Sequence, residues 1–228
     1  MNKVINVLLG VLLLPTMFIA IYVGLDLPIG FLHVSGNNLP HKDWVFLGLG
    51  LASAIIILRR AIRRWMGMRI VNQVKKFKWN APVSKSRKSR VQLYLSLEAL
   101  VMVAMGIGLY TVSEDALAPA IAYGIGALDN ILFAIAGEKD RYRVGISSKA
   151  LIVADREVIF LYFSGLRKVS AQQQTTYFDY IKGLQITFPT NCVRDENKQE
   201  FLKVLEDQLD RDRVFFSKTM NTVEAPTS

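Results

Sequence analysis

Four long apolar runs fill the first 136 residues, and short apolar runs punctuated by tight turns fill the remainder. A hydrocarbon layer about 30 Å thick needs roughly 20 helical residues to cross it. Val4–Leu25 meets that length without a charge, and Pro15 inside it implies no more than a kink. A signal peptide competes for this segment, because Met1-Asn2-Lys3 makes a minimal basic start. The apolar stretch is too long for that reading and no small-x-small cleavage site follows, so an uncleaved first span is expected. Trp44–Leu58 is short for a span, but extension to Trp65 separates two tryptophans by about 31 Å along a helix, the distance between two interfacial belts. Val91–Val112 and Ala116–Ala136 supply the third and fourth spans, joined by a turn containing Glu114 and Asp115.

From Tyr142 onward the pattern changes. Tyr142–Ile146, Ala150–Ala154, Val158–Phe163, Leu166–Val169, Thr175–Ile181 and Leu184–Phe188 read as six short strands with tight turns between them. A helix is expected to start near Arg194, with Asp195 and Glu196 in its first turn, where the helix dipole favours acids. Its apolar face is Phe201, Leu202, Leu205 and Leu209. Thr175–Ile181 lacks a clean polar face, which predicts cover by a partner or a bilayer. The predicted organisation is an α-helical membrane bundle over 1–137, a small β-rich domain capped by one helix over 138–214, and a disordered polar tail over 215–228.

Charge then orients the chain. The net charge is +9, yet 137–228 holds 14 basic and 13 acidic residues, so the excess belongs to the first half. It is concentrated in the loop 59–90, which has twelve cations and no acid: Arg59, Arg60, Arg63, Arg64, Arg69, Lys75, Lys76, Lys78, Lys85, Arg87, Lys88 and Arg90. The positive-inside rule places this loop and both termini in the cytoplasm, most economically at a bacterial inner membrane. Ile62, Met66, Ile70, Val74 and Phe77 recur between these cations, which predicts a basic amphipathic helix continuing from span two along the interface. Arg59 and Arg60 would snorkel outward, and Lys85–Arg90 would be a polybasic linker. All twelve are candidate membrane-surface residues for anionic phospholipid, each contributing about 1 kcal/mol. Topology alone is the simpler reason for such charges. Nucleic acid is disfavoured, because no aromatic platform or reading motif accompanies them.

Two acids interrupt the spans, Glu98 in the third and Asp129, beside Asn130, in the fourth. Both lie about 9–10 Å inside the cytoplasmic ends of their spans. They could share a proton, bind a cation, or pair with arginines of the adjoining loop. Ala118, Ala122 and Gly126 form a small-residue stripe that Asn130 continues, and Ala104 and Gly108 offer a similar face on span three.

Catalytic chemistry finds little support. One cysteine, Cys192, excludes an intrachain disulfide, and it reads as a semi-buried residue before the last helix. His33 and His41 have no partner at metal-ligand spacing. No nucleotide loop or Ser/His/Asp grouping is visible, so a non-enzyme without metal or cofactor is expected.

The runs YRVGISSKALIVADREVIFLYFSGLRKVS, YFDYIKGLQITFP and EFLKVLEDQL give the segment Tyr142–Asp210 its strand-and-helix pattern. In that pattern it resembles the bacterial pleckstrin-homology-like domains of the YcxB-like sort, often attached to membrane helices. The resemblance implies a binding or scaffolding module and carries no catalytic residue with it. Arg167-Lys168, the one adjacent basic pair among the early strands, reads as a solvated turn ahead of a headgroup site. Two functions remain in play. One is a membrane scaffold that presents this module to a protein partner at the anionic cytoplasmic leaflet. The other is a small proton- or ion-coupled transport component using Glu98 and Asp129, working as a homo-oligomer because four spans enclose little pathway.

Overall fold

The computed structural model describes residues 2–30, 33–172, 175–209 and 214–216. In chain order the elements are α1 (Asn2–Gly24), β1 (Pro28–Ile29), β2 (Val34–Ser35), α2 (Lys42–Val71), β3 (Trp79–Pro82), α3 (Lys85–Val112) and α4 (Leu117–Glu138). Then follow β4 (Arg143–Ile146), β5 (Ala150–Ala154), β6 (Val158–Tyr162), β7 (Leu166–Gln172), β8 (Thr175–Tyr180), β9 (Gln185–Pro189), α5 (Lys198–Gln208) and β10 (Phe215–Phe216). Helices α1 to α4 are each long and apolar enough to cross a membrane. The chain divides into two compact units, 1–65 with 92–135 and 66–91 with 136–228, so each of α2, α3 and α4 contributes to both.

In the first unit, small residues set the helix contacts. A Cβ on Gly50 would come within 2.7 Å of the Ala118 backbone, and one on Gly126 within 2.9 Å of Met102 Sδ. The Ala118-Ala122-Gly126-Asn130 stripe of α4 is therefore a packed face, as close helix approach requires. Ala104 and Gly108 instead line an apolar cleft of about 200 Å³ with Met17 and Ile21. Phe46, Ile57, Ala99, Met102, Leu109, Tyr123 and Ala127 form the core with Leu9, Ala20 and Val23 of α1. The outward side of α2 is a row of exposed Trp44, Leu47, Leu51, Ile55, Leu58 and Ile62.

The second unit is built on two four-stranded sheets, ordered β3-β4-β5-β6 and β10-β7-β8-β9. Sequence-adjacent strands pair antiparallel within each sheet, whereas β10 joins β7 in parallel. Every residue of β5 is buried, as its uninterrupted Ala-Leu-Ile-Val-Ala run predicts for a strand covered on both faces. Ala150, Ile152 and Ala154 pack under Val71, Phe77 and Val158, so the end of α2 forms one cover. Gly67 permits it, since a Cβ there would lie 2.0 Å from Val158 Cγ2. Helix α5 is held by Phe201, which stacks on Phe188 at 5.6 Å and meets Trp79 edge-on at 5.2 Å.

Three expectations change. The stretch after Trp65 is not one interfacial helix: α2 ends at Val71, Val74–Lys76 is a single 3-10 turn, and Trp79–Pro82 is a strand. β3 pairs antiparallel with β4, from Trp79↔Ile146 to Pro82↔Arg143. Pro82 is tolerated because β3 is the sheet edge. Lys85–Arg90 is not a linker but the first turns of α3, where Ser84 Oγ accepts the Arg87 amide at 3.3 Å. β8 alternates buried Thr176 and Phe178 with half-buried Thr175, Tyr177 and Asp179, and both its edges are paired, to β7 and β9. Phe215–Phe216, expected in the disordered tail, pairs with β7, while 217–228 lies outside the described residues.

Candidate functional site

Arg60 and Arg64 lie one turn apart on α2, so their side chains leave the same helix face. Both are buried, at 5% and 2% exposure. Arg60 bridges two helices, with Nη1 donating to Glu98 Oε1 on α3 and Nη2 to Asn130 Oδ1 on α4 at 2.7 Å. Arg64 Nη1 donates to the same Asn130 oxygen at 2.8 Å, and its Nη2 to Asp129 Oδ2. Trp65 Nε1 donates to the other Asp129 oxygen at 2.8 Å. The Arg64 guanidinium also lies 4.6 Å from the Phe133 ring centroid.

Asn130 is the centre of this network. It is fully buried, and one carbonyl oxygen with two lone pairs serves two guanidinium groups. Its amide nitrogen lies 3.6 Å from Met102 Sδ. Two cations and two carboxylates sum to zero charge, which low-dielectric surroundings require. The cluster thus cross-links α2, α3 and α4 through paired, mutually neutralising groups.

This arrangement corrects the placement of Arg60 and Arg64. Arg60 does not snorkel outward and Arg64 does not lie at the surface: desolvation of both is offset by partners on neighbouring helices. Of the three chemistries open to Glu98 and Asp129, pairing with arginine is the one observed. Trp65, expected as an interfacial marker, also caps Asp129.

The other ten basic residues divide further. Arg59, Arg69, Lys75, Lys76, Lys78, Lys85 and Arg90 are exposed and Arg63 is half-buried. Met66, Ile70 and Val74 are exposed between them, an apolar row carried on a basic ground. Arg87 and Lys88 are turned inward to acids, Arg87 Nε to Asp155 Oδ2 at 2.8 Å and Lys88 Nζ to Asp140 Oδ1 at 3.5 Å. Asp155 is itself buried and also accepts the Glu157 amide at 3.2 Å. The sequence reading missed this acid, although an Asp-Arg turn following an apolar strand was its only signal.

A groove of about 680 Å³ opens beside Ser84, Lys85, Asn191, Arg194 and Lys198. Two of its three cations are matched locally, Arg194 to Asp140 at 3.5 Å and Lys198 to Asp195 at 2.6 Å, so it has no strong excess for an anion. Cys192 is fully buried rather than semi-buried, and desolvation pushes its thiol up to about 12. His33 and His41 occupy left-handed turn positions, at φ 53° and 59°. Among the described residues no group of three His, Cys, Asp or Glu side chains could hold a metal ion. No family model, curated protein or solved structure matches this chain.

Proposed function

We propose that the chain is a multi-pass bacterial inner-membrane protein, with both termini in the cytoplasm, that acts as a non-enzymatic scaffold. It presents a pleckstrin-homology-like interaction module at the anionic leaflet for a protein partner, without nucleic acid. The pairing of β3 with β4 carries the reading. These strands flank α3 and α4, so their pairing supports a reading in which residues 79–82 and 143–146 share one side of a bilayer and the two helices between them cross as a hairpin. That supports a basic segment and a β-rich unit sharing one compartment. The apolar outer rows of α1 to α4 support a lipid surround, since water-facing patches of that extent are rare in soluble proteins.

β3 also supplies a seventh strand to the β4–β9 series, ahead of the closing helix α5. Short antiparallel strands followed by a closing helix are the pattern on which the resemblance rests. The basic row around Met66, Ile70 and Val74 suits the acyl–headgroup boundary of anionic lipid. Scaffold is favoured over transport because Glu98 and Asp129 are each committed to an arginine. The test is the full chain in proteoliposomes loaded with a pH-sensitive dye. The scaffold reading expects no protein-dependent proton or K⁺ flux, together with co-purified anionic phospholipid that declines in Arg69→Gln/Lys75→Gln/Lys76→Gln. Flux that disappears in Glu98→Gln would overturn it.

A further inference from the structure

β7 is paired along one edge by β8, from Leu166↔Tyr180 to Gln172↔Thr175. Its other edge is met, among the described residues, by β10 alone, at Phe215↔Lys168 and Phe216↔Val169. Two residues in parallel register make a weak ladder. Among the described residues no strand meets the backbone of Ser170, Ala171 and Gln172 on that side, and such an edge is a template for a further strand. Val214, just ahead of β10, is buried, whereas Phe215 is 65% exposed.

Arg167 and Lys168 lie in β7 rather than in a turn. Strict alternation would bury one of two neighbours in a strand. The register shifts between Leu166 and Lys168, however, and both cations are exposed between buried Leu166 and Val169. The Lys168 ammonium lies 6.0 Å from the Phe215 ring centroid. Neither cation is in an ion pair among the described residues. Asp179, opposite Lys168 in the ladder, instead accepts from the Gln185 side-chain amide at 2.8 Å. The edge therefore carries two uncompensated cations beside a cover of two residues.

We propose that this edge of β7 is where the protein partner docks, as an extended segment bearing acidic and aromatic side chains, and that β10 is a removable cover over it. The proposal rests on the scaffold reading and names the partner's chemistry. Added backbone hydrogen bonds along β7 supply affinity, and side chains at alternate positions supply register. Acids on the segment meet Arg167 and Lys168, and an aromatic side chain takes the place of Phe215 over Lys168. A partner helix would satisfy the charges but not the open backbone groups, since its own are already bonded internally.

Lys168→Cys with Phe215→Cys, in a Cys192→Ala background, tests it by locking β10 onto β7 on oxidation. Register partners on adjacent strands lie about 4.8 Å apart, within disulfide reach. The probe is a fluorescein-labelled octapeptide with glutamates on both sides of a Val-Phe-Phe core, the triplet found at 214–216. Its anisotropy is followed as the full chain in phosphatidylcholine nanodiscs is added. The reduced form binds the probe and the oxidised form does not. Phe215→Pro, which cannot hold the β10 ladder, tightens binding about fivefold by raising the fraction of open edge. Arg167→Gln with Lys168→Gln weakens it about fivefold, the scale of two exposed charge pairs. Equal binding by the two redox forms overturns the proposal, because the probe would then sit elsewhere. So does a reduced form that binds nothing, or a cysteine pair that fails to oxidise. Proton or K⁺ flux through the chain would sink the scaffold reading instead, a result separate from any of these.

Discussion

Removing both members of the Arg64–Asp129 pair should destabilise the helical unit by less than the sum of the two single removals. The exposures of the two side chains are 3% and 16%, so Arg64 is desolvated and Asp129 nearly so. Asp129→Asn keeps the shape and an acceptor for Trp65 Nε1 but leaves Arg64 with Asn130 as its remaining polar partner of those described above. An uncompensated buried charge costs about 3–5 kcal/mol. Arg64→Met leaves the Asp129 carboxylate with Trp65, and its partial exposure puts the cost near the low end, about 3 kcal/mol. The double variant has no orphaned charge, so its cost should fall below the sum of the singles by about 2 kcal/mol. The assay is reversible SDS titration of the full chain in mixed micelles, followed by far-UV circular dichroism. A coupling below about 0.5 kcal/mol would refute the reasoning, because independent sites add within that margin.

Two further outcomes follow from the β-rich unit. Ala81 and Val144 are register partners in the β3–β4 ladder, where such Cα atoms are about 4.5–5.5 Å apart and within disulfide reach. Ala81→Cys with Val144→Cys, in a Cys192→Ala background, should therefore cross-link on oxidation in native membranes and migrate faster on a non-reducing gel. Failure to cross-link would remove β3 from the sheet. Stability should also fall above pH 9, because the folded chain holds the Cys192 proton to about 12 while the unfolded chain releases it near the ordinary thiol value of 9.0. The contribution is intact below pH 9 and is lost at about 1.4 kcal/mol per pH unit up to pH 12. Tyr180, raised from 10.0 to about 12 by burial, adds in the same direction above pH 10. Alkaline denaturation of Cys192→Ala should start later than that of the parent chain; identical profiles would contradict the burial argument.

The long helices were legible because unbroken apolar length is a local property, readable from Val4–Leu25 without knowing any contact. The six strands from Tyr142 were legible for the same reason, since turn residues bound each run. β3 was not. Trp79, Ala81 and Val83 do alternate with Asn80 and Pro82, and all three are buried, but cations on both sides mask a period of two over so short a stretch. Its partner is roughly 60 residues away, beyond any window a periodicity count uses. The cluster at Asn130 was half legible. Glu98 and Asp129 announced themselves as charges among apolar residues, whereas Arg60 and Arg64 were hidden in a crowd of similar cations. What separates them from Arg59 and Arg63 is helix phase: Ser53, Ile57, Arg60 and Arg64 share the buried face of α2, while Arg59 and Arg63 do not. Cation counts fix sidedness, but only phase tells a structural arginine from a surface one.

The β3–β4 pairing also imposes an order of assembly. β3 leaves the ribosome before α3 and α4 are made, and its ladder partner β4 follows them. On the four-span reading, β3 waits unpaired while a helical hairpin is inserted, and the hairpin then delivers β4 to it by bringing the chain back to the side it left. A helix that failed to cross would leave the two strands in different compartments, and the sheet would lack its edge. On that reading, completion of the β-rich unit is a check on completed insertion, made by backbone hydrogen bonds.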